Sequence, residues 1–222
     1  MIYFSGDIHG RPDNICTFCE RYKLTCDDVL VLLGDVGANY CGDRRDEYVK
    51  EMLDRVKPTV LCVHGNHEAR PSTIAGYELV DWNGGKVHKI SHNIVHLMRG
   101  QTYTIEGKKI FTFGGGHSQD FEFRHDGDWW EREQPTHAEI IDGIRSLKEH
   151  DFEVDYIVTH EPPASLKDCL GVDVFQRIEV HAFFEDVIKT VKYEKWFFGK
   201  CHIDKHIPMK FYAVFNTVTA LK

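Results

Sequence analysis

The chain has 222 residues, 42% of them hydrophobic and 12% aromatic, which is enough apolar material for the packed core of a single domain spanning residues 1–222. Its 27 basic and 35 acidic residues give a formal charge of −8 with no Lys/Arg block, so neither a nucleic-acid partner nor a membrane surface is indicated. Seven scattered cysteines make no disulfide framework, no run approaches the ~18 apolar residues of a membrane span, and Met1 leads straight into Ile2-Tyr3-Phe4, so a reducing, cytoplasmic location is expected.

Ile2 to Ser5 reads as a short strand ending in Gly6-Asp7-Ile8-His9-Gly10. Asp7 and His9 are two apart, so on an extended segment a carboxylate oxygen and an imidazole nitrogen can approach one cation. Pro12-Asp13 opens a helix with Ile15, Phe18, Cys19 and Tyr22 at helical spacing. Cys16 and Cys19 form a CxxC there, but with no second pair downstream they read as small apolar residues rather than as a zinc or redox site. Val29 to Leu33 is the next strand and ends in Gly34-Asp35. A charged helix from about Asp43 to Val56 stops before Pro58. Thr59 to His64 is a third buried run, and it delivers Gly65-Asn66-His67-Glu68 at its end. Strand, polar tip and helix in repeated succession predict an α/β fold with parallel strands and their tips on one edge.

From Gly76 the texture changes to short β-type runs, Lys86–Ile90, Ile94–Met98, Thr102–Glu106 and Lys109–Phe113, separated by Asn83-Gly84-Gly85, Arg99-Gly100 and Glu106-Gly107. Glu106-Gly107-Lys108 has the composition of a tight hairpin turn. Gly114-Gly115-Gly116-His117 closes this section, and Ser118 to Gln134, with Trp129 and Trp130, reads as a long ordered loop near a site or as a partner surface. Pro135-Thr136 begins a helix to about His150. Tyr156 to Thr159 is a strand ending at His160, a helix follows around Gln176 to Lys192, and Trp196 to Phe198 is a strand leading to Gly199-Lys200-Cys201-His202. Lys205 to Val218 has a β composition.

A lone histidine or Gly-Asp after a strand is commonplace. Five strand ends carrying Asp7/His9, Asp35, Asn66/His67, His160 and His202 together supply oxygen and imidazole donors in the mixture that suits Mn, Fe or Zn. Two cations bridged by one carboxylate would use about the number of ligands available.

In their order and rough spacing, Gly6-Asp7-Ile8-His9-Gly10, Gly34-Asp35, Gly65-Asn66-His67-Glu68, His160 and Gly199-to-His202 resemble the successive signatures of calcineurin-like metallophosphoesterases. The resemblance implies a four-layer α/β/β/α sandwich and hydrolysis of a phosphate ester, a monoester or diester with nucleotides among the candidates, by a metal-activated water. It implies one or two divalent metal ions per chain. Asp7, His9 and His202 would serve the first, Asp35 the bridge, and Asn66 and His160 the second. His67 corresponds to the histidine that acts on the phosphate and the leaving group, and the expected partner is a small phosphorylated substrate.

Two departures from the family pattern bear on the chemistry. Where phosphoprotein phosphatases continue the Gly-Asp motif to a second Asp and an Arg, this chain has Ala38 and Asn39, so Arg11, Arg70 and Arg124 become the candidates for holding phosphate. Lys200 stands where a second-metal histidine is expected. An ammonium has no lone pair, so it must lose its proton to ligate or else repel a cation. Asn66, Lys200 and Arg70 are therefore the expected substrate-binding residues, with a weak or absent second metal. The alternative is a binding module on the same fold that lost turnover through Lys200.

Overall fold

The computed structural model describes residues 1–118, 133–172 and 178–221. Strands β1 (Ile2–Ser5), β2 (Val29–Leu32) and β3 (Thr59–Cys62) are short apolar runs buried on both faces, as parallel strands covered on both sides must be. They pair in parallel, Tyr3 opposite Leu30 and Val31 opposite Leu61. Between them run α1 (Asp13–Arg21) and α2 (Arg44–Asp54), the latter capped by the Asp43 carboxylate accepting from the Arg45 N–H. On α1, Ile15 and Cys19 face the core. Tyr22, expected on that face, lies just past the helix and is 60% exposed. All seven cysteines are free thiols.

β4 (Glu78–Trp82), β5 (Gly85–Lys89), β6 (Ile94–Leu97), β7 (Gln101–Ile105) and β8 (Lys108–Phe113) follow. Glu106 and Gly107, at φ 51° and 73°, join β7 to β8 in the two-residue turn that the right-handed strand twist favours. Asn83 and Gly84, at φ 48° and 94°, do the same between β4 and β5. The sequence marked that turn only as a separator, because β4 is largely exposed and has no buried apolar run to betray it. α3 (His137–Glu149) starts with a capping box between Thr136 and Glu139. The chain continues through β9 (Tyr156–Thr159), α4 (Lys167–Leu170), α5 (Glu179–Thr190), β10 (Lys195–Phe198), β11 (Lys205–Ile207), β12 (Phe211–Ala213) and β13 (Thr219–Ala220). Most of the loop expected from Ser118 to Gln134, including Arg124, Trp129 and Trp130, lies outside the described residues, as do the first positions of the helix expected from Gln176. No helix among the described residues is long and apolar enough to cross a membrane.

The strands form two sheets, a seven-stranded one ordered β13-β1-β2-β3-β6-β5-β4 and a six-stranded one ordered β11-β12-β10-β9-β8-β7. Alternation along a strand decides what each sheet face meets. Val31 and Leu61 join Tyr103, Val158 and Phe197 in a cluster drawn from both sheets, whereas Leu30, Leu32 and Val60 pack with Ile15, Val49 and Leu53 of α1 and α2. Phe111, Ile157 and Trp196 pack with Ile140 and Leu147 of α3 and Phe183 and Val187 of α5. Phe4 of β1 and Phe197 of β10 stack face to face across the sheets at 4.0 Å between ring centres. That contact holds the end of β1 opposite the end of β10, where the sequence motifs lie.

The start of α3 is tied by charge to the segments that follow β3 and β6. Glu139 accepts from Arg70 Nη2 at 2.5 Å and from Arg99 Nη1 at 3.0 Å, while Arg99 Nη2 donates to His64 Nδ1 at 3.0 Å. Burial alone would raise the Glu139 pKa, but the Arg99 charge and the Arg70 hydrogen bond outweigh it and hold the carboxyl at about 2. A folded-state value below the ordinary 4.5 contributes stability that is full above pH 4.5 and lost as pH falls toward 2. Glu139→Gln should cost about 2–3 kcal/mol at neutral pH by denaturant unfolding. The gap from wild type should close as pH drops below 4.5, and a gap independent of pH would contradict the ion-pair account. Phe197→Ala, which empties the inter-sheet stack, should cost about 3–5 kcal/mol in the same assay. A loss under ~1 kcal/mol would mean that the stack does not anchor the sheets.

Candidate metal centre

Each strand end contributes to one cluster because glycines let the backbones come close. A Cβ on Gly65 would lie 2.0 Å from Asp35 Oδ1, and one on Gly34, itself at φ 101°, would lie 2.2 Å from His160 Nδ1. No larger residue fits at either place. His9, Asp35, Lys200 and His202 adopt positive φ (45°, 47°, 66° and 50°), a conformation costly for residues with a Cβ and concentrated here on the predicted site residues. Glu68, the last residue of the Gly-Asn-His-Glu motif, is buried and accepts from the Val36 N–H at 2.6 Å and the Gly65 N–H at 3.1 Å, so it ties the β2 loop to the β3 loop.

Asp7, His9 and His202 bring their donor atoms together, as do Asp7, Asp35 and His160, and as do His9, Asp35 and His67. His9 Nε2 is 2.9 Å from His202 Nε2, which is in turn 3.2 Å from Asp7 Oδ2. Ligands held ~2.1 Å from one cation at right angles would be ~3.0 Å apart, so these spacings fit a shared ion. Asp7 Oδ2 is buried and, among the described residues, lacks a hydrogen bond of good geometry despite its neighbour, and the Asp7 carboxylate holds His202 above the ordinary imidazole pKa. An orphaned buried oxygen facing two imidazole nitrogens fits a divalent cation at this position, with Asp35 completing the set.

Asp35 is buried and its Oδ1 accepts the His67 N–H at 2.8 Å. Burial would raise its pKa, but the surrounding His160, His67 and Lys200 charges and that hydrogen bond hold the carboxyl below its ordinary value. The His67 ring lies edge-on to His9 at 5.7 Å and parallel to Tyr40 at 6.1 Å. It borders a cavity of about 550 Å³ lined also by Tyr40, Arg44, Tyr48 and Val49. His67 is thus close enough to His9 and Asp35 to ligate as well as to face a bound molecule.

Around His160 the chemistry differs. Its Nδ1 donates to the Leu33 carbonyl at 2.7 Å, and its Nε2 lies 2.8 Å from Asn66 Oδ1 and 3.7 Å from Asp35 Oδ2. Asn66 Nδ2 donates to Ser118 Oγ at 2.9 Å, and Ser118 Oγ donates to Glu133 Oε2 at 2.5 Å, which fixes the Asn66 oxygen toward His160. Lys200 Nζ donates to the same Asn66 Oδ1 at 2.6 Å and to the His117 carbonyl at 2.8 Å.

Of the residues singled out in the sequence, Asp7, His9, Asp35, Asn66, His67, His160, Lys200 and His202 meet at this cluster. Arg70 is engaged with Glu139, and Arg11 is exposed on the loop after His9. Asn39, which replaces an expected arginine, accepts from the Tyr77 hydroxyl at 2.7 Å. Sequence reasoning missed Ser118, Glu133 and Glu161. Glu161 is buried beside His181 at 3.2 Å; its only signal was its place directly after His160.

Among curated protein sequences, none matches this chain. The chain is similar to the crystal structure of the phosphopantetheinyl hydrolase PptH from Mycobacterium tuberculosis (15% identity, 96% of this chain and 89% of that one, TM-score 0.47). It is also similar to a candidate 5′-nucleotidase from Staphylococcus aureus solved with alpha-ketoglutarate (14% identity, 96% of this chain and 48% of that one, TM-score 0.49). A further solved structure, 16% identical over 96% of this chain and 88% of that one at a TM-score of 0.52, shares the fold and supports nothing finer. The family model for calcineurin-like phosphoesterases matches residues 1–199. With two sheets and helices arranged as described and the motifs gathered at one set of strand ends, this chain belongs to the calcineurin-like phosphoesterase family.

Proposed function

We propose that the chain hydrolyses a small phosphate ester, monoester or diester, at the cluster of Asp7, His9, Asp35, His67 and His202. The observation that carries this is the triangle of Asp7, His9 and His202 donors, with His9, Asp35 and His67 all lining the open cavity. A divalent cation held by Asp7, His9, Asp35 and His202 would supply positive charge for a phosphoryl oxygen and lower the pKa of a water there. The nitrogen and oxygen donors suit Mn, Fe or Zn.

The chain's own residues do the rest. The backbone N–H of His67 is anchored on Asp35, and the parallel Tyr40 ring limits where the imidazole can turn. From that position the imidazole can give a proton to the departing oxygen, which is the hardest charge to leave bare once the ester bond breaks. The cavity beside it, about 550 Å³ with Tyr40, Arg44 and Tyr48 on its walls, is of the size that takes a small molecule. It offers flat apolar surface for a leaving group together with a basic side chain.

Hydrolysis of an aryl phosphate monoester and of the corresponding diester, with and without Mn²⁺, tests this reading. Metal-dependent release from at least one of them is expected. Release from neither, in a folded and metal-loaded protein, would favour the non-catalytic binding module that Lys200 leaves open. With a substrate in hand, His67→Ala should lower kcat by about 10²-fold or more while metal content stays unchanged. Unchanged turnover would mean that another group delivers the proton, and lost metal would make His67 a ligand. Asp35→Asn should sharply reduce bound metal by elemental analysis, because it removes the charge that the donor groups share. Unaltered metal content in that variant would contradict the assignment.

A further inference from the structure

Resting on that reading, we propose that Lys200 supplies this centre's second positive charge from within the chain. One divalent cation binds at Asp7, His9 and His202, and the Lys200 ammonium occupies the place of a second and contacts the phosphoryl oxygens of the substrate.

The ammonium already stands where a second cation would be held, on Asn66 Oδ1 and the His117 carbonyl. Asn66 Oδ1 already accepts from the Lys200 ammonium, Nζ at 2.6 Å, with the bare Nε2 of His160 2.8 Å from the same oxygen. The amide cannot turn to offer another oxygen, because its nitrogen is committed to Ser118 and through it to Glu133. His160 donates from Nδ1 to the Leu33 carbonyl at 2.7 Å, so a neutral ring brings no hydrogen to Asn66 Oδ1 and the ammonium supplies it. The His117 carbonyl, at 2.8 Å, takes a second hydrogen of the ammonium.

Lys200 is also held in place by the backbone. Its N–H donates to Asp7 Oδ1 at 3.2 Å, and its φ of 66° bends the chain so that the side chain turns back over Asn66. Asp7, Asp35 and Glu161 are all more than nine-tenths buried around it, with Glu161 Oε2 lacking a hydrogen-bond partner among the described residues. Such a set of carboxylates demands cationic charge, and a lysine provides it permanently. An ammonium has three donors. Two are used as described, and the third is available to a phosphate oxygen, for which a lysine serves as a point charge.

The test is a Mn²⁺ titration of the metal-stripped full chain, read by calorimetry and by electron paramagnetic resonance, with Lys200→His and Lys200→Gln alongside. Wild type should bind one Mn²⁺ with the hyperfine pattern of an isolated ion. Lys200→His should bind a second and show the broadened signal of a coupled pair. Lys200→Gln, checked for folding by circular dichroism, should keep one Mn²⁺ and bind inorganic phosphate about tenfold or more weakly than wild type. Two tight ions in wild type would remove the lysine assignment while sparing the metal centre. So would a folded Lys200→His variant that still binds one, or unchanged phosphate affinity in Lys200→Gln. A wild type that binds no Mn²⁺ would instead overturn the metal centre itself, and this proposal with it.

Discussion

Negative charge taken out of water is the constraint on which this structure turns. Asp7, Asp35 and Glu161 are each less than 5% exposed and share one region at the strand ends. Carboxylates buried together are costly unless cations and hydrogen bonds answer them. The answer here is mixed: imidazoles from His9, His160 and His202, backbone N–H groups of His67 and Lys200, the Lys200 ammonium, and a place for a divalent ion. A neutral or rearranged set of side chains would relieve the cost, but it would also remove the means of handling a phosphate.

The fold makes that concentration of charge possible. Parallel pairing of β1, β2 and β3 brings three polar tips to one edge, and the Phe4–Phe197 stack sets β10's tip against them. Glycines at the tips let backbone pass within contact distance of carboxylates and imidazoles, and positive φ at His9, Asp35, Lys200 and His202 turns side chains inward that an extended chain would send elsewhere. Local strain of this kind persists only where surrounding structure over-determines it. Here Glu68, the His9 N–H on the Asp35 carbonyl and the Lys200 N–H on Asp7 Oδ1 supply that determination.

Much of this was legible in the sequence, for a physical reason. Buried parallel strands are apolar on both faces, so β1, β2, β3 and β9 stand out as runs, and polar residues at their ends are conspicuous. The ordered tips then pointed to one family. What could not be read were pairings made in space. Arg70 reads as a phosphate ligand in the sequence, where nothing signals its partner Glu139, 69 positions away. The relay from Asn66 through Ser118 to Glu133 joins residues 52 and 15 positions apart with no shared motif. β4 escaped notice because an exposed edge strand carries no apolar signature, and Tyr22 misled because helical spacing does not say where a helix stops. Lys200 was the exception, visible as a departure from pattern yet given a partner only by the structure.

The central claim is that the strand-end cluster is a metal centre in which Asp7, His9 and His202 share an ion. Anomalous diffraction from crystals soaked in Mn²⁺ at neutral pH measures this directly. The account predicts a strong anomalous peak bounded by Asp7, His9 and His202, with the donor atoms about 2.0–2.3 Å from it. No peak there, or a peak held by other residues, would contradict it.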